Sequence, residues 1–503
     1  MGTGEHSARA GVLTSAITGS SSLLAGLLLL PLILATVGSG PYGVWLVLFT
    51  AVALSQYSDL GVGAAIVFFS AQSRAGNAKG APARFLSAGL LWNSSACLLL
   101  IPLYFVLALL YVTSDEVAQA LPESDGFWLA VLATCALLSI LLRPFMSTLV
   151  GAGLMPVDQR NQLIGTLVRV LGTLAVCLLA PSAVALAMVE VAWVVLPGVL
   201  ALFSSARRGL VRIRWDSQAR TTLTMMLRYS VRSFGASLMG AITLQSGVII
   251  AGLLLGPSAA SYYSAAFRVY TAARQVLSWL IEPFRSALSR LYLSDPQVAQ
   301  RTLLALCFLV TAAASVISVT GLLAAPWLIP AWLGDSAPVT TVSWTLTAFL
   351  AGLAVNSLYI PLAMAADSRG IPGLYLVSNA VWMVSAICLS VVLAGQLGIV
   401  GIAVGLSAPL IIVVPLNIVI ARRRLGLSLR SWVEVCARPV LVLVLPPAVL
   451  VAMVSAVLNR SFGGENLPVI VAGVYVLLQA LTAIILRRHL PFDQVRDLAR
   501  ARL

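Results

Sequence analysis

Apolar runs long enough to cross a bilayer recur along this chain from its first tens of residues almost to its end. A spanning helix needs about 20 apolar residues at ~1.5 Å each. Lipid offers the backbone no hydrogen-bond partners, so a chain of such runs can fold only as a helix bundle. Charged residues make up 10% of the 503 and hydrophobic ones 60%, with a mean hydropathy of +1.00. A soluble surface needs roughly 25% charged residues. The reading is an all-α polytopic membrane protein of about 14 helices, near 14–37, 43–69, 86–113, 127–151, 162–180, 183–206, 229–255, 258–284, 302–331, 341–366, 374–395, 399–420, 439–457 and 468–486.

The formal net charge is +14, from thirty Arg, one Lys and seventeen acidic residues. Its distribution speaks for membrane orientation and against nucleic acid. Arginines fill alternate loops, including Arg160, Arg207 to Arg220, Arg285 to Arg301 and Arg422 to Arg430, whereas Asp115, Glu116, Glu123, Asp125, Asp335 and Glu465 occupy the others. The positive-inside rule places the basic set, and with it both termini, in the cytoplasm. The segment Met1–Gly11 does not have the shape of a cleaved signal peptide. Six cysteines without paired spacing and two histidines, His6 and His489, leave no metal site, no cofactor site and no catalytic constellation to expect. The loops outside the membrane are too short for an extracytoplasmic catalytic domain.

An internal repeat organises the chain. Gly40-Pro41 and Gly256-Pro257 lie 216 residues apart, and Pro144 and Pro361 lie 217 apart. Predicted helix starts at 86 and 302, and at 183 and 399, share the 216 offset. The division expected is a six-helix lobe over 1–206, a basic cytoplasmic linker over 207–228, a second six-helix lobe over 229–420, and two further helices with a basic tail over 421–503. An even number of helices per repeat makes the two lobes parallel, related by an axis along the membrane normal.

The stretch Gly38-Ser39-Gly40-Pro41-Tyr42-Gly43-Val44-Trp45, followed by Ser58-Asp59-Leu60-Gly61-Val62-Gly63, resembles the first helical hairpin of the polysaccharide-transporter family of O-antigen flippase type. Gly247 to Gly252, Leu255-Gly256-Pro257 and Tyr262-Tyr263-Ser264-Ala265-Ala266 resemble it in the second half. That family shares a superfamily with lipid II flippases and multidrug and toxin extruders. The resemblance covers twelve helices as a pattern of lengths and breaks, and is residue-specific only in these hairpins and the Pro361 helix. It departs where many relatives carry an acid in the seventh helix, since this chain reads Leu244-Gln245-Ser246.

The resemblance implies alternating-access translocation of a polyprenyl-phosphate- or diphosphate-linked oligosaccharide across a bacterial cytoplasmic membrane. It implies contact with membrane lipids, possible association with polymerase or glycosyltransferase machinery, and a monomeric, non-enzymatic protein. A drug antiporter or a lipid II-type flippase on the same fold is the alternative. A membrane glycosyltransferase or polymerase would need a large extramembrane loop that is lacking here.

An ionisable side chain at bilayer depth costs at least ~2.5–3.5 kcal/mol and normally faces a cavity or a partner. Arg143, Arg169, Arg268 and Arg274 are the candidate phosphate contacts, because guanidinium stays charged and grips phosphate oxygens in pairs. Asp59, Arg143 and Arg274 fall about sixteen residues from the outer ends of their helices. Arg169 enters from the other side to a similar depth, and Arg268 lies ~9 Å further out. The expectation is an inward-facing cavity with a basic lining.

Each arginine has a plainer reading as well. Arg143 could satisfy the carbonyl freed by Pro144 or pair with Asp59, and Arg169 could snorkel to the interface. Asp59, Glu190 and Glu282 are candidates for ion coupling or pairing, with a local Glu282–Arg285 pair the default. Gln245, Ser246 and Asn356 are the polar groups proposed for sugars. Pro31, Pro144, Pro283 and Pro361 are the candidate hinges.

Overall fold

A computed structural model describes residues 25–75, 81–213, 219–334, 337–371, 373–462 and 467–485. The start of the first expected helix lies outside them, as do Lys79, Asp335, Glu465 and the arginines of the C-terminal tail. Among the described residues every regular element is helical. Ten helical stretches are long and apolar enough to cross a membrane, and Ala25–Thr36 and Val471–Thr482 are shorter apolar helices. The outward faces remain apolar: Leu98 is 81% exposed, Leu179 83% and Ile412 74%. A surface of that kind requires lipid around it. The protein is therefore a multi-pass membrane protein.

The chain divides into two compact units between Ser261 and Tyr262, inside the helix Pro257–Ile281. The first unit takes in the helix Ala219–Leu254, which packs on Ser39–Ser55, Val62–Ala75 and Ala81–Val112. Close approach is made possible by glycine. A Cβ on Gly43 would sit 1.9 Å from the Pro257 carbonyl oxygen, and one on Gly252 would sit 2.2 Å from the Val47 side chain.

In the second unit the long helix Pro296–Leu333 is the centre. Val339–Asn356, Arg438–Phe462 and Leu467–Ile485 pack against it. Phe308 and Ala312 meet Val440 and Leu443, and Val319 and Leu323 meet Val451, Val471 and Tyr475. The stretch Leu376–Ser407 folds back at Gly398, whose φ of 59° lies where glycine is the ordinary choice. The return is tied by Trp382 Nε1 donating to the Leu406 carbonyl and Ser390 Oγ donating to that of Ile402, both at 3.0 Å.

Three expected continuous helices are broken. Residues 43–69 split into Ser39–Ser55, a 3-10 turn Gln56–Asp59 and Val62–Ala75. Residues 127–151 split into Asp125–Ala136 and Ser139–Gly151, and 341–366 into Val339–Asn356 and Tyr359–Ser368. A fourth break follows Ile281, where a 3-10 turn Glu282–Phe284 precedes Arg285–Ser294.

Three of these four breaks do not fall at a proline. Pro144 lies past its break and Pro361 is the third residue after its own. Serine hydroxyls close the gaps instead: Ser139 donates to the Ala136 carbonyl and Ser357 to that of Ala354, each at 2.7 Å. The same i−3 bond thus recurs at equivalent places in the two units. Pro283 stands inside a 3-10 turn and Pro31 inside the helix Ala25–Thr36.

Candidate substrate cavity

The first unit encloses a cavity of about 780 Å³, floored by the turn that ends helix Ser39–Ser55 and walled by the helices that carry Arg143, Gln162, Glu190 and Gln245. A smaller space of about 340 Å³ adjoins it, and the two share Tyr57, Arg143, Met146 and Gln162.

Asp59 sits in the 3-10 turn, followed by Leu60 in the left-handed region at φ 46°. One carboxylate oxygen accepts from the Gly61 amide at 2.8 Å, and the other lies 3.8 Å from the Arg143 guanidinium. Arg143 also donates to the Gln56 carbonyl. The carbonyl that Pro144 frees, that of Ile140, accepts instead from Asn93 Nδ2 at 2.8 Å. Of the two plain readings of Arg143, pairing with Asp59 is therefore the one realised. Capping the proline's carbonyl falls to Asn93.

Arg169 does not snorkel. It grips Glu190 with two hydrogen bonds of 3.0 and 3.2 Å, and its guanidinium carbon lies 4.0 Å over the Trp193 ring. A bidentate fork against a carboxylate stacked on an indole is geometry that lysine could not reproduce. The consequence for the cavity is electrical. Of the charged side chains that line it, Arg143 is paired with Asp59 and Glu190 with Arg169, so this lining is charge-balanced where a basic one was expected.

Gln245 lines the cavity. Ser246, one residue on, does not: its hydroxyl donates to the Thr243 carbonyl of its own helix at 2.8 Å. Tyr57, Gln159, Gln162 and Trp193 line the cavity too, and none stood out in the sequence. Helix Met155–Leu179 begins seven residues before the hydropathy pattern suggests, which carries Asp158 and Gln159 from an expected loop into the walls of the two spaces. Asp158 is 3% exposed; it accepts from Gln162 Nε2 at 2.7 Å and keeps its other oxygen without a partner.

The second unit carries the other predicted residues. Helix Pro257–Ile281 is not among the stretches apolar enough to count as a span, because serines, tyrosines and arginines fill it. Tyr263, Phe267 and Tyr270 lay one aromatic face on Phe349, with ring centroids 5.2–5.6 Å apart. Arg268 and Arg274 lie between and beyond these rings, both half-buried. Arg274 stands one turn beyond Tyr270 on the same helix. No carboxylate of the described residues comes within ion-pair distance of it. Tyr359 accepts from Asn379 Nδ2 at 2.8 Å. Asn356 is buried at the end of its helix, immediately before the break.

Glu282 is occupied elsewhere. Arg285 binds it at 2.8 and 3.1 Å and reaches Asp367 at 3.0 Å, joining the 3-10 turn to helix Tyr359–Ser368. Burial lifts the Asp367 carboxyl above its ordinary range, and Arg285 pulls it back.

The fold is similar to that of a lipid II flippase and of multidrug transporters of known structure. The structure described as "Lipid II flippase MurJ, inward closed conformation" superposes with a TM-score of 0.71 at 14% identity, over 95% of this chain and 99% of that one. An inward-facing multidrug resistance MATE family transporter of the MOP superfamily gives 0.66 at 13% identity, over 81% and 94%. The eukaryotic MATE transporter AtDTX14 gives 0.57 at 14%, over 84% and 99%. Residues 155–342 match the family described as "Polysaccharide biosynthesis protein". No curated protein matches the sequence. Residues 155–342 are thus similar to a polysaccharide biosynthesis family, and the chain as a whole shares its fold with these flippase and transporter structures.

Proposed function

We propose that this protein carries a lipid-linked oligosaccharide precursor, held by a polyprenyl phosphate or diphosphate, across the bacterial cytoplasmic membrane by alternating access. The family match points to polysaccharide biosynthesis, and the fold is one on which a lipid II flippase is built. The observation that carries the reading is Arg274, a half-buried guanidinium with no carboxylate of the described residues within ion-pair distance, on a helix that is not among the stretches apolar enough to count as a span. An unmatched permanent cation in such a place suits a phosphate and repels a cationic drug. Arg268, on the same helix, serves the same anion. Arg143 and Arg169 shape the first unit's cavity through their carboxylate partners.

Two six-helix lobes joined by 207–228, with 421–503 as an appendix of two helices, are part of this reading. So are fourteen spans, a monomeric state, cytoplasmic termini, and association with polymerase or glycosyltransferase machinery. The recurrence of serine-closed breaks in both units supports the repeat. Those breaks, with Pro31, Pro144, Pro283 and Pro361 near or apart from them, are where the helices would bend during the cycle.

The test is Arg274→Ala in a flippase-null strain. The variant should reach the membrane at the normal level, seen by immunoblot, yet lower surface glycan at least tenfold. Normal glycan export by Arg274→Ala would overturn the anion argument.

A further inference from the structure

We propose that the first unit's cavity is a subsite for the uncharged saccharide of the substrate, and not for its phosphate. The inference rests on the transport reading above and deepens it. The charged groups lining this cavity are already paired: Arg143 lies 3.8 Å from Asp59, and Glu190 is bound by Arg169 at 3.0 Å. A phosphate entering here would meet the Glu190 carboxylate along with the Arg143 guanidinium, and would be desolvated without a net cation to compensate it. A neutral ligand meets no such penalty.

The remaining lining is what a sugar requires. Tyr57 and Trp193 offer ring faces to the C–H side of a pyranose, and the indole is held in place by Arg169 at 4.0 Å. Gln159, Gln162, Gln245 and Thr166 offer amides and a hydroxyl to its O–H groups. An amide both donates and accepts, which matches vicinal hydroxyls or an acetamido group. Thr166 donates to the Gln162 carbonyl at 3.0 Å, and Gln162 donates to Asp158 at 2.7 Å. Gln159 and Gln245, by contrast, have no side-chain partner among the described residues and face the cavity. The volume of about 780 Å³ lies within the roughly 300–1,000 Å³ of small-ligand sites.

Native mass spectrometry on the full-length protein tests this with two probes: undecaprenyl diphosphate, and the same lipid carrying one N-acetylglucosamine. The wild-type protein should hold the glycosylated lipid about tenfold more tightly than the bare one, the worth of one or two hydrogen bonds. Gln159→Ala/Gln245→Ala should abolish that difference and leave binding of the bare lipid unchanged. Gln159→Ala alone should remove part of it, and a melting curve in detergent checks that each variant is folded. Equal binding of the two probes by the wild type, or loss of the bare lipid along with the glycosylated one in the double variant, would overturn the saccharide subsite. If the wild type retains neither probe better than phosphatidylglycerol, the transport reading itself fails, a pattern distinct from failure of the subsite alone.

Discussion

Arg169 and Glu190 illustrate how charge is tolerated among helices of this kind. Their side chains are 26% and 10% exposed, and the guanidinium both forks onto the carboxylate and stacks on Trp193. Removing one member of a fully buried pair costs roughly 3–5 kcal/mol, because the other charge stays behind. Partial exposure of Arg169 scales the expected loss for Arg169→Met to about 2 kcal/mol. Arg169→Met/Glu190→Gln should recover part of that loss, since it removes the stranded charge. Thermal melting in detergent reads both, and a double variant that melts no higher than the single one would show that the pair is not coupled. An Asp59–Arg143 contact of 3.8 Å without a bidentate fork should couple more weakly than this pair.

At the scale of elements, serines and glycines set the geometry. Ser139 and Ser357 close breaks at matching places in the two units, so a helix can bend there without leaving a carbonyl bare. Gly43 permits the chain after helix Ala219–Leu254 to run against helix Ser39–Ser55. A methyl there would meet backbone at 1.9 Å, which cannot rotate away as a side chain could. Gly43→Ala should destabilise by about 1–3 kcal/mol and broaden the size-exclusion profile. Gly240→Ala, with nothing within 4 Å of the added carbon, should leave the melting temperature unchanged or slightly raised. A neutral Gly43→Ala would mean that the two elements are not in fact so close.

For the whole molecule, the testable quantity is orientation. The loop near Ser114 to Ser124 carries Asp115, Glu116 and Glu123, whereas Arg207, Arg208 and Arg212 follow helix Ala183–Arg207. Alkaline phosphatase fused after Pro122 should be active, and green fluorescent protein fused after Gly209 should fluoresce. The reverse pattern would invert the topology and remove the assignment of a cytoplasmic side. A fold shared at 13–14% identity with MurJ and a MATE transporter shows how little of the sequence this architecture constrains. Apolar faces toward lipid tolerate any aliphatic residue, so what persists is helix length and the placing of breaks.

Composition and loop charge by themselves determined that this chain spans a membrane many times, because long apolar runs admit one kind of fold in lipid. The Gly-Pro hairpins at 40 and 256 and the spacing of 216 are the sequence's argument for a repeat. Ionisable residues in apolar segments were legible as a set, since their burial cost marks them wherever they stand. Their partners were not. Asp59 and Arg143 are 84 residues apart, and Arg169 and Glu190 are 21 apart on two helices whose relative rotation no periodicity specifies. Only packing decided that Arg143 and Arg169 meet carboxylates while no carboxylate of the described residues pairs with Arg274. The same packing put Asn93, and not Arg143, on the carbonyl freed by Pro144, and turned Gln245 toward the cavity and Ser246 away from it. A linear pattern reports the cost of burying a charge; which groups offset that cost is a property of the three-dimensional contact.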